Sequence, residues 1–188
     1  MLVRTMPATA VRTQTISAFC FAIGILLAIG THASADIGVA ARQVPAAELV
    51  GKGRLTFFGF KVFDAELYAP RGLYRPSGPY ALKLTYLRNF KSGDIVSRSA
   101  EEIRDQGGVS EQKLEGWTRQ MQALFPDVKR GQSITGVHTA SGTTEFYHGS
   151  RRLGVIRDPE FTKRFFAIWL GKRTSDPHLR ARLTGSGS

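Results

Sequence analysis

Residues 51–70 read GKGRLTFFGFKVFDAELYAP, the longest strand-like run in the chain. The run is rich in aromatic and β-branched residues, and it is bounded by glycines at its start and Pro70 at its end, as strands commonly are. It predicts one long strand, bent or split near Gly59, and a strand of this length usually crosses the middle of a sheet. Its apolar pattern is interrupted by charged side chains at Arg54, Lys61, Asp64 and Glu66. Arg54 lies near the start, and a cation in the middle of a sheet must reach water, a carboxylate or a ligand.

The first 35 residues carry the three parts of a secretory signal peptide. Arg4 and Arg12 form a basic leader, residues 16–30 (ISAFCFAIGILLAIG) form an apolar segment, and residues 33–35 (Ala-Ser-Ala) form a small-residue cleavage site. The apolar segment is short for a membrane span, although an uncleaved N-terminal anchor is the alternative. We predict that the signal peptide is cleaved before Asp36 and that the protein is periplasmic. The chain then has two parts, a signal peptide over residues 1–35 and a single domain over residues 36–188.

Cysteine usage and charge restrict the partners of the exported chain. The one cysteine, Cys20, lies inside the apolar segment, so the mature chain can form neither a disulfide nor a thiolate metal site. Removing Arg4 and Arg12 from the 26 basic residues leaves 24 against 15 acidic ones, a net charge of +9. Export argues against nucleic acid as the partner of this charge. A solvated basic surface is one explanation, and attraction to an anionic membrane surface or an acidic partner is the other. The sequence leaves the oligomeric state open.

The rest of the chain alternates strands and helices. Asp158 followed by Pro159, and Asp176 followed by Pro177, are typical of helix starts, and Ser110 is a third candidate N-cap. The first helix has Ser92 or Asp94 as its candidate cap. Hairpin-length connections dominate, which predicts an α+β domain with a large, mostly antiparallel sheet and a helix layer on its apolar face. The predicted strands are 80–88, 133–139, 143–148 and 153–157, with an edge strand as one reading of 36–48, and the predicted helices are 92–106, 110–125, 158–170 and 174–183. Two of these helices carry an apolar stripe at helical spacing, formed in the second by Leu114, Trp117, Met121, Leu124 and Phe125 and in the third by Phe161, Phe165, Ile168 and Trp169.

Few residues are arranged for chemistry. His138, His148 and His178 lie in three separate segments without metal-ligand spacing, and neither a nucleophile elbow nor a glycine-rich phosphate loop is present in the sequence. We therefore expect no metal and no cofactor. Arg54 remains, because a guanidinium can bind a carboxylate through two parallel hydrogen bonds and the aromatic run beside it could line an apolar cleft. A small amphipathic acid would fit such a site. The alternative is a structural ion pair between Arg54 and Asp64, Glu66 or a helix carboxylate.

In five segments, in order along the chain, the sequence resembles the chalcone isomerase-like family, in its exported bacterial branch. The matching segments are residues 51–70, 81–90 (ALKLTYLRNF), 124–134 (LFPDVKRGQSI), 146–156 (FYHGSRRLGVI) and 161–185 (FTKRFFAIWLGKRTSDPHLRARLTG). The resemblance implies an open-faced β-sandwich, in which helices cover one face of a large antiparallel sheet and a ligand cleft lies between them. The family includes isomerases that close a chalcone to a flavanone and non-catalytic members that bind fatty acids.

The resemblance also implies site residues. Both kinds of member use an arginine from a central strand, which Arg54 matches, and a tyrosine or threonine further along assists, for which Tyr68 and Thr56 are candidates. The isomerases carry a tyrosine, a lysine and an asparagine on the helix after the second long strand. Residues 92–106 (SGDIVSRSAEEIRDQ) contain none of these three residue types. The groups that orient the phenol and move protons are therefore missing, which argues against chalcone isomerase activity.

Three functions remain open at this stage. The first is an exported, non-catalytic protein that binds a small amphipathic acid such as a fatty acid, with catalytic residues absent and ligand contacts from Arg54, Thr56 and Tyr68. The second is an isomerase or lyase of unidentified substrate that uses Arg54 with Tyr68, Tyr86 or Tyr147. The third is an envelope interaction protein whose basic surface binds a membrane or an acidic partner without a small ligand.

Overall fold

The computed structural model describes Met1 and residues 37–186. The chain divides into two compact units, Met1–His32 and Ala33–Ser188, and the second contains all the elements described below. The predicted signal peptide and its cleavage position before Asp36 lie outside the described residues. None of the helices in the described part is long and apolar enough to cross a membrane.

Six antiparallel strands form one sheet in which each strand pairs with the next along the sequence. This order confirms the predicted antiparallel sheet. The last strand begins two residues earlier than predicted. The strands are β1 (Ala47–Phe57), β2 (Phe60–Pro70), β3 (Tyr80–Tyr86), β4 (Ser133–His138), β5 (Thr144–His148) and β6 (Arg151–Ile156). Short connections join β1 to β2, β2 to β3, β4 to β5 and β5 to β6, whereas the long connection from β3 to β4 contains two of the helices.

The long run at 51–70 folds back on itself as the β1–β2 hairpin. Phe57 pairs with Phe60, and the two turn residues, Phe58 and Gly59, have φ of 47° and 79°. Two consecutive residues with positive φ match the right-handed twist of paired strands, so the chain reverses here within two residues. The expectation that this run crosses the middle of the sheet is therefore wrong for its first half, because β1 is an edge strand.

Four α-helices cover one face of the sheet, as predicted. Ser110, Asp158 and Asp176 accept hydrogen bonds from the first turns of the helices that follow them, which confirms these three N-caps. The predicted cap of the first helix by Ser92 or Asp94 is wrong: Asp127, distant in sequence, accepts from the backbone N–H of Ser92 at 2.8 Å. The helices are α1 (Ser92–Asp105), α2 (Glu111–Leu124), α3 (Pro159–Leu170) and α4 (Pro177–Thr184).

The main core fills the space between the sheet and the helices with aromatic side chains. Phe146 from β5 is fully buried, and its ring centroid lies 4.9 Å from that of Phe125 and 5.1 Å from that of Phe165. Trp117 and Phe161 extend the same cluster. The predicted stripes of α2 and α3 are the buried faces of these helices, because residues three and four apart share one side of a helix.

A short 3₁₀ helix, Gly38–Gln43, occupies part of the segment where an edge strand was expected. Ile37, Ala40 and Val44 pack against the opposite face of the sheet, on Tyr68, Ala81, Val137 and Tyr147. This minor core covers only one region of that face. The 3₁₀ segment therefore covers apolar side chains on this face of the sheet and does not add a further strand.

Candidate functional site

Arg54 lies on the edge strand β1 and points to the face of the sheet that the α-helices do not cover. Its cross-strand partner is Asp64 on β2, and residues paired in this way share one face. The neighbours of Asp64 along β2, Phe63 and Ala65, belong to the main core, so their side chains point the other way. Strand alternation thus separates the charged positions of the 51–70 run from its buried apolar ones.

Asp64 holds the guanidinium of Arg54 through two hydrogen bonds. Nε of Arg54 donates to Oδ1 at 2.6 Å, and Nη2 donates to Oδ2 at 2.9 Å. The hydrogen bond from Arg54 lowers the pKa of the Asp64 carboxyl below its usual value, so the pair is ionised at neutral pH. The two side chains remain 44% and 38% exposed. The structural ion pair that was the alternative for Arg54 therefore forms, with Asp64 as the partner. Because a guanidinium has five N–H donors, three are left for another acceptor.

Arg54 also lines a surface cleft that lies at the edge of the sheet, where α4 contacts β1 from the other face. The cleft has a volume of 670 Å³ and is open to solvent. Its lining residues are Gly53, Arg54, Thr56, Asp176, His178 and Arg182. The lining includes two arginines, one histidine and one acidic residue. The acidic residue, Asp176, is already engaged as the N-cap of α4 and accepts from the backbone N–H of Leu179 at 2.8 Å. The lining therefore favours an anionic group.

Two glycines allow α4 to approach the sheet edge. A Cβ on Gly51 would lie 2.1 Å from the carbonyl oxygen of Arg182, and one on Gly53 would lie 2.6 Å from Cδ1 of Leu179. Arg182 also donates from Nη2 to the backbone carbonyl of Arg54 at 3.2 Å. The two glycines at the start of the run therefore allow α4 to form one wall of the cleft. The sequence pattern around these glycines did not reveal this role.

The structure brings together two of the three predicted ligand-binding residues. Thr56 lies two residues after Arg54 and lines the same cleft. Tyr68 lies on β2 opposite Leu49, is 4% exposed, and belongs to the minor core under the 3₁₀ helix. Tyr68 and Asp64 are four residues apart on one strand, which is about 13 Å. Tyr68 is therefore placed away from the cleft that Arg54 and Thr56 line.

The other candidate tyrosines also lie in cores. Tyr86 is buried among the main-core side chains, and burial raises the pKa of its phenol above the ordinary value. Burial likewise raises the pKa of Tyr147, whose hydroxyl donates to Oε2 of Glu145 at 2.7 Å. The described residues that line the Arg54 cleft include no tyrosine. A phenol and the guanidinium of Arg54 thus do not converge there.

The histidines of the domain are dispersed as well. His138 at the end of β4 stacks on Tyr80 with ring centroids 4.8 Å apart, and burial lowers its pKa. His148 ends β5, and His178 lies in the first turn of α4. Within residues 37–186, no group of three His, Cys, Asp or Glu side chains is placed to hold a metal ion.

Sequence reasoning missed the residues that α4 contributes to the cleft. Asp176, His178 and Arg182 come more than 120 positions after Arg54, and no local pattern relates them to β1. Only a weak sequence signal pointed to this contact. Helix α4 is a basic and polar helix of eight residues, and its two buried side chains, Leu179 and Leu183, must pack on an apolar surface elsewhere in the chain. The long-range contact that places it on β1 is a tertiary feature.

An open-faced antiparallel sheet with four helices on one face and a charged cleft at its edge defines the class of this protein. The sequence profile of the chalcone isomerase-like family matches residues 43–185, which is most of the chain and includes all six strands and four α-helices. The protein therefore belongs to the chalcone isomerase-like family.

Among solved structures, the fold is similar to that of a fatty-acid binding protein from Arabidopsis thaliana. The superposition covers 76% of this chain and 88% of that one, with a TM-score of 0.59 and 10% sequence identity. At this identity the likeness is one of fold. Among curated proteins, none matches the sequence significantly.

Proposed function

We propose that the protein is an exported, non-catalytic member of the chalcone isomerase-like family that binds a small amphipathic acid, such as a fatty acid, in the Arg54 cleft. The observation that carries this proposal is the meeting of Arg54, Arg182 and His178 in one open cleft. A carboxylate there accepts hydrogen bonds from the N–H groups of Arg54 that Asp64 leaves available.

The surroundings of the cleft fit the apolar part of such a ligand. Thr56 leads directly into Phe57, whose side chain is 60% exposed, so an acyl chain leaving the carboxylate site passes onto aromatic surface. The aromatic core fills the space between sheet and helices, which supports a binding site at the sheet edge over one beneath the helix layer. This differs from the central cleft that the family resemblance implied.

Two features argue for binding without catalysis. Helix α1 lacks the tyrosine, lysine and asparagine that resemblance to the isomerases would require. The cleft lining offers no tyrosine hydroxyl as a proton donor or acceptor near Arg54. An acid held by Arg54 would therefore be bound without the tyrosine, lysine and asparagine that the isomerases use to orient their substrate and move protons.

The test is native mass spectrometry of the protein purified from expressing cells, followed by organic extraction of what travels with it. Affinity for the fluorescent fatty acid 11-(dansylamino)undecanoic acid is then measured for the wild type and for Arg54→Ala. We expect a co-purified acid, and a loss of at least about tenfold in affinity for the variant, because a charge-assisted bidentate contact is removed.

A matched control is available in Arg104, which pairs with Glu111 on the helix side at 3.0 Å and is similarly exposed. Arg104→Ala removes an equivalent surface ion pair and should leave the affinity unchanged. Equal affinities for the two variants, or a wild type that does not bind the probe, would overturn the proposal. Intact mass of the purified chain tests export separately, since cleavage before Asp36 removes a defined mass.

A further inference from the structure

The turn of the β1–β2 hairpin exposes three phenylalanines together. Phe57, Phe58 and Phe60, here called the aromatic tip, are 60%, 85% and 61% exposed. The rings of Phe57 and Phe58 contact each other edge to face with centroids 4.5 Å apart, and none of the three belongs to either core. Such a cluster of exposed aromatic rings leaves a large apolar surface in water and marks an interaction site.

Local backbone preference does not explain the aromatic tip. A two-residue turn with positive φ at both positions favours asparagine, aspartate or glycine, and a bulky aromatic residue is uncommon there. Phe58 nevertheless adopts φ of 47° while its ring makes little use of the protein interior. The position thus holds a residue that suits neither the turn nor water, which points to a partner outside the chain.

Basic side chains surround the aromatic tip. Arg88 places its guanidinium carbon 5.0 Å from the centroid of the Phe60 ring, and Lys61 follows Phe60 on β2. Backbone hydrogen bonds bring a second loop to this end of the sheet, since Gly131 donates to the Tyr86 carbonyl at 2.7 Å. That loop carries Lys129 and Arg130. The basic collar is defined as Lys61, Arg88, Lys129 and Arg130.

The basic collar keeps its charge available. All four side chains are on exposed residues, and in the described part of the chain none of them forms an ion pair. The acidic residues at this end have partners of their own: Asp64 is held by Arg54, and Asp127 is held by Lys91 at 2.9 Å. The surface around the aromatic tip is therefore positive.

We propose that the aromatic tip inserts into the interfacial region of an anionic lipid bilayer while the basic collar contacts the headgroups. Aromatic rings beside Lys and Arg form the arrangement that binds membrane interfaces, where apolar burial and attraction to anionic lipid add together. Cross-strand pairing already satisfies the backbone of Phe57 and Phe60, so insertion leaves few unpaired peptide groups.

The shape of the aromatic tip favours a bilayer over a protein partner. A stable protein interface buries about 800 Å² on each side. The aromatic tip has only one ring on a two-residue turn and two on the paired residues that flank it, which makes a narrow projection. A narrow apolar projection with a cationic rim matches the depth and charge of a headgroup layer. Phe57 borders both this site and the Arg54 cleft, whereas Phe58, Lys129 and Arg130 do not line that cleft. The variants at these three residues therefore test membrane binding independently of the Arg54 contact.

The test is co-sedimentation of the purified protein with vesicles of phosphatidylglycerol and phosphatidylcholine, compared with vesicles of phosphatidylcholine alone. We expect binding to the anionic vesicles that weakens steeply between low and high salt. Phe58→Ser and the triple variant Phe57→Ser, Phe58→Ser, Phe60→Ser should lower the partition coefficient progressively, the triple variant by at least about tenfold. Lys129→Glu combined with Arg130→Glu should lower it and weaken its salt dependence.

Matched controls come from the opposite end of the sheet. Leu73 follows β2 and is 60% exposed, and Arg75 lies exposed in the same loop. Leu73→Ser and Arg75→Glu should leave vesicle binding unchanged. As a direct probe, Phe58→Trp should shift its fluorescence to the blue on adding anionic vesicles.

The outcomes separate cleanly. Circular dichroism and thermal midpoints verify that each variant is folded, and intact mass verifies that all share one N terminus. Binding that is equal on neutral vesicles, or unchanged in the triple variant, overturns the proposal. Sedimentation velocity without lipid tests the alternative that a second copy of the chain covers the aromatic tip. Self-association of the wild type that Phe58→Ser abolishes would support that alternative and would also overturn the proposal.

Discussion

The two faces of the sheet differ in what covers them. One face lies under four α-helices and a continuous aromatic core, with Phe146, Phe161 and Phe166 almost completely buried. The other carries ion pairs at one end, such as Arg54 with Asp64 and Lys83 with Glu66, and a small apolar cluster under the 3₁₀ helix at another. The first face is built for stability, because burial of large apolar side chains dominates the free energy of folding.

The edge of the second face is where the candidate functions lie. The Arg54 cleft and the aromatic tip both belong to the β1–β2 hairpin, whose residues from Thr56 to Lys61 are exposed. Residues that contribute little to the core can be chosen for binding without loss of stability. The contrast suggests that substitutions should separate into two classes, those that change unfolding and those that change binding.

The largest effect is expected from Phe146. Phe146→Ala removes a fully buried ring that contacts three other phenylalanine rings and should lower the free energy of unfolding by about 3–5 kcal/mol. Phe58→Ala removes the same atoms from an exposed position and should change the free energy of unfolding by less than about 0.5 kcal/mol. Urea denaturation followed by circular dichroism compares the two, and similar midpoints would contradict the division between the faces.

A smaller loss of stability is expected at the contact between α4 and β1. Gly51→Ala places a Cβ against the Arg182 carbonyl oxygen and should destabilise by about 1–3 kcal/mol through forced separation of the helix from the strand. The control is Gly116→Ala in α2, where an added Cβ would meet no neighbouring atom within 4 Å. Alanine in this helical position should raise the free energy of unfolding by about 0.5–1 kcal/mol. Unfolding midpoints that move in opposite directions are the expected result.

Asp158 should make stability depend on pH. Burial alone would raise the pKa of its carboxyl, but hydrogen bonds from the Trp117 indole N–H and from the backbone of Phe161 and Glu160 outweigh it, and the pKa lies below its ordinary value. Because the pKa of Asp158 is lower in the folded than in the unfolded state, its ionised carboxylate stabilises the protein above the unfolded-state pKa of about 4. This contribution is lost as pH falls through the folded-state pKa.

Asp158→Asn should therefore be less stable than the wild type at pH 7, by about 1 kcal/mol, and should lose less stability on acidification. Thermal unfolding between pH 7 and pH 2.5 measures both slopes. Parallel curves for the two proteins would show that Asp158 titrates alike in the folded and unfolded states.

The smallest effect on stability is expected at Arg54. Its ion pair with Asp64 is exposed, and such pairs contribute about 0–1 kcal/mol. Arg54→Ala should shift the urea midpoint no more than Arg104→Ala, while only the former weakens binding of the fatty-acid probe. A large loss of stability in Arg54→Ala alone would instead give the residue a structural role.

Much of the fold follows from local sequence patterns. The Asp158-Pro159 and Asp176-Pro177 helix starts, the Ser110 cap and the apolar stripes of α2 and α3 were predicted correctly, because these signals act within a few residues. The hairpin at Phe58-Gly59 was harder to predict, since an aromatic residue occupies a turn position where asparagine is usual. The cap of α1 was missed because Asp127 reaches it from another loop.

The sequence by itself determined the α+β class, the antiparallel sheet and the presence of Arg54 beside an aromatic run. Periodicity, caps and short connections are local properties, so they survive without knowledge of the fold. Only the tertiary structure decided that β1 lies at the edge, that Asp64 pairs with Arg54, that α4 closes one side of the cleft, and that Tyr68 is buried elsewhere. The contact of α4 with β1 joins residues more than a hundred positions apart. The other three features depend on strand order and pairing, which arise from the packing of the whole chain.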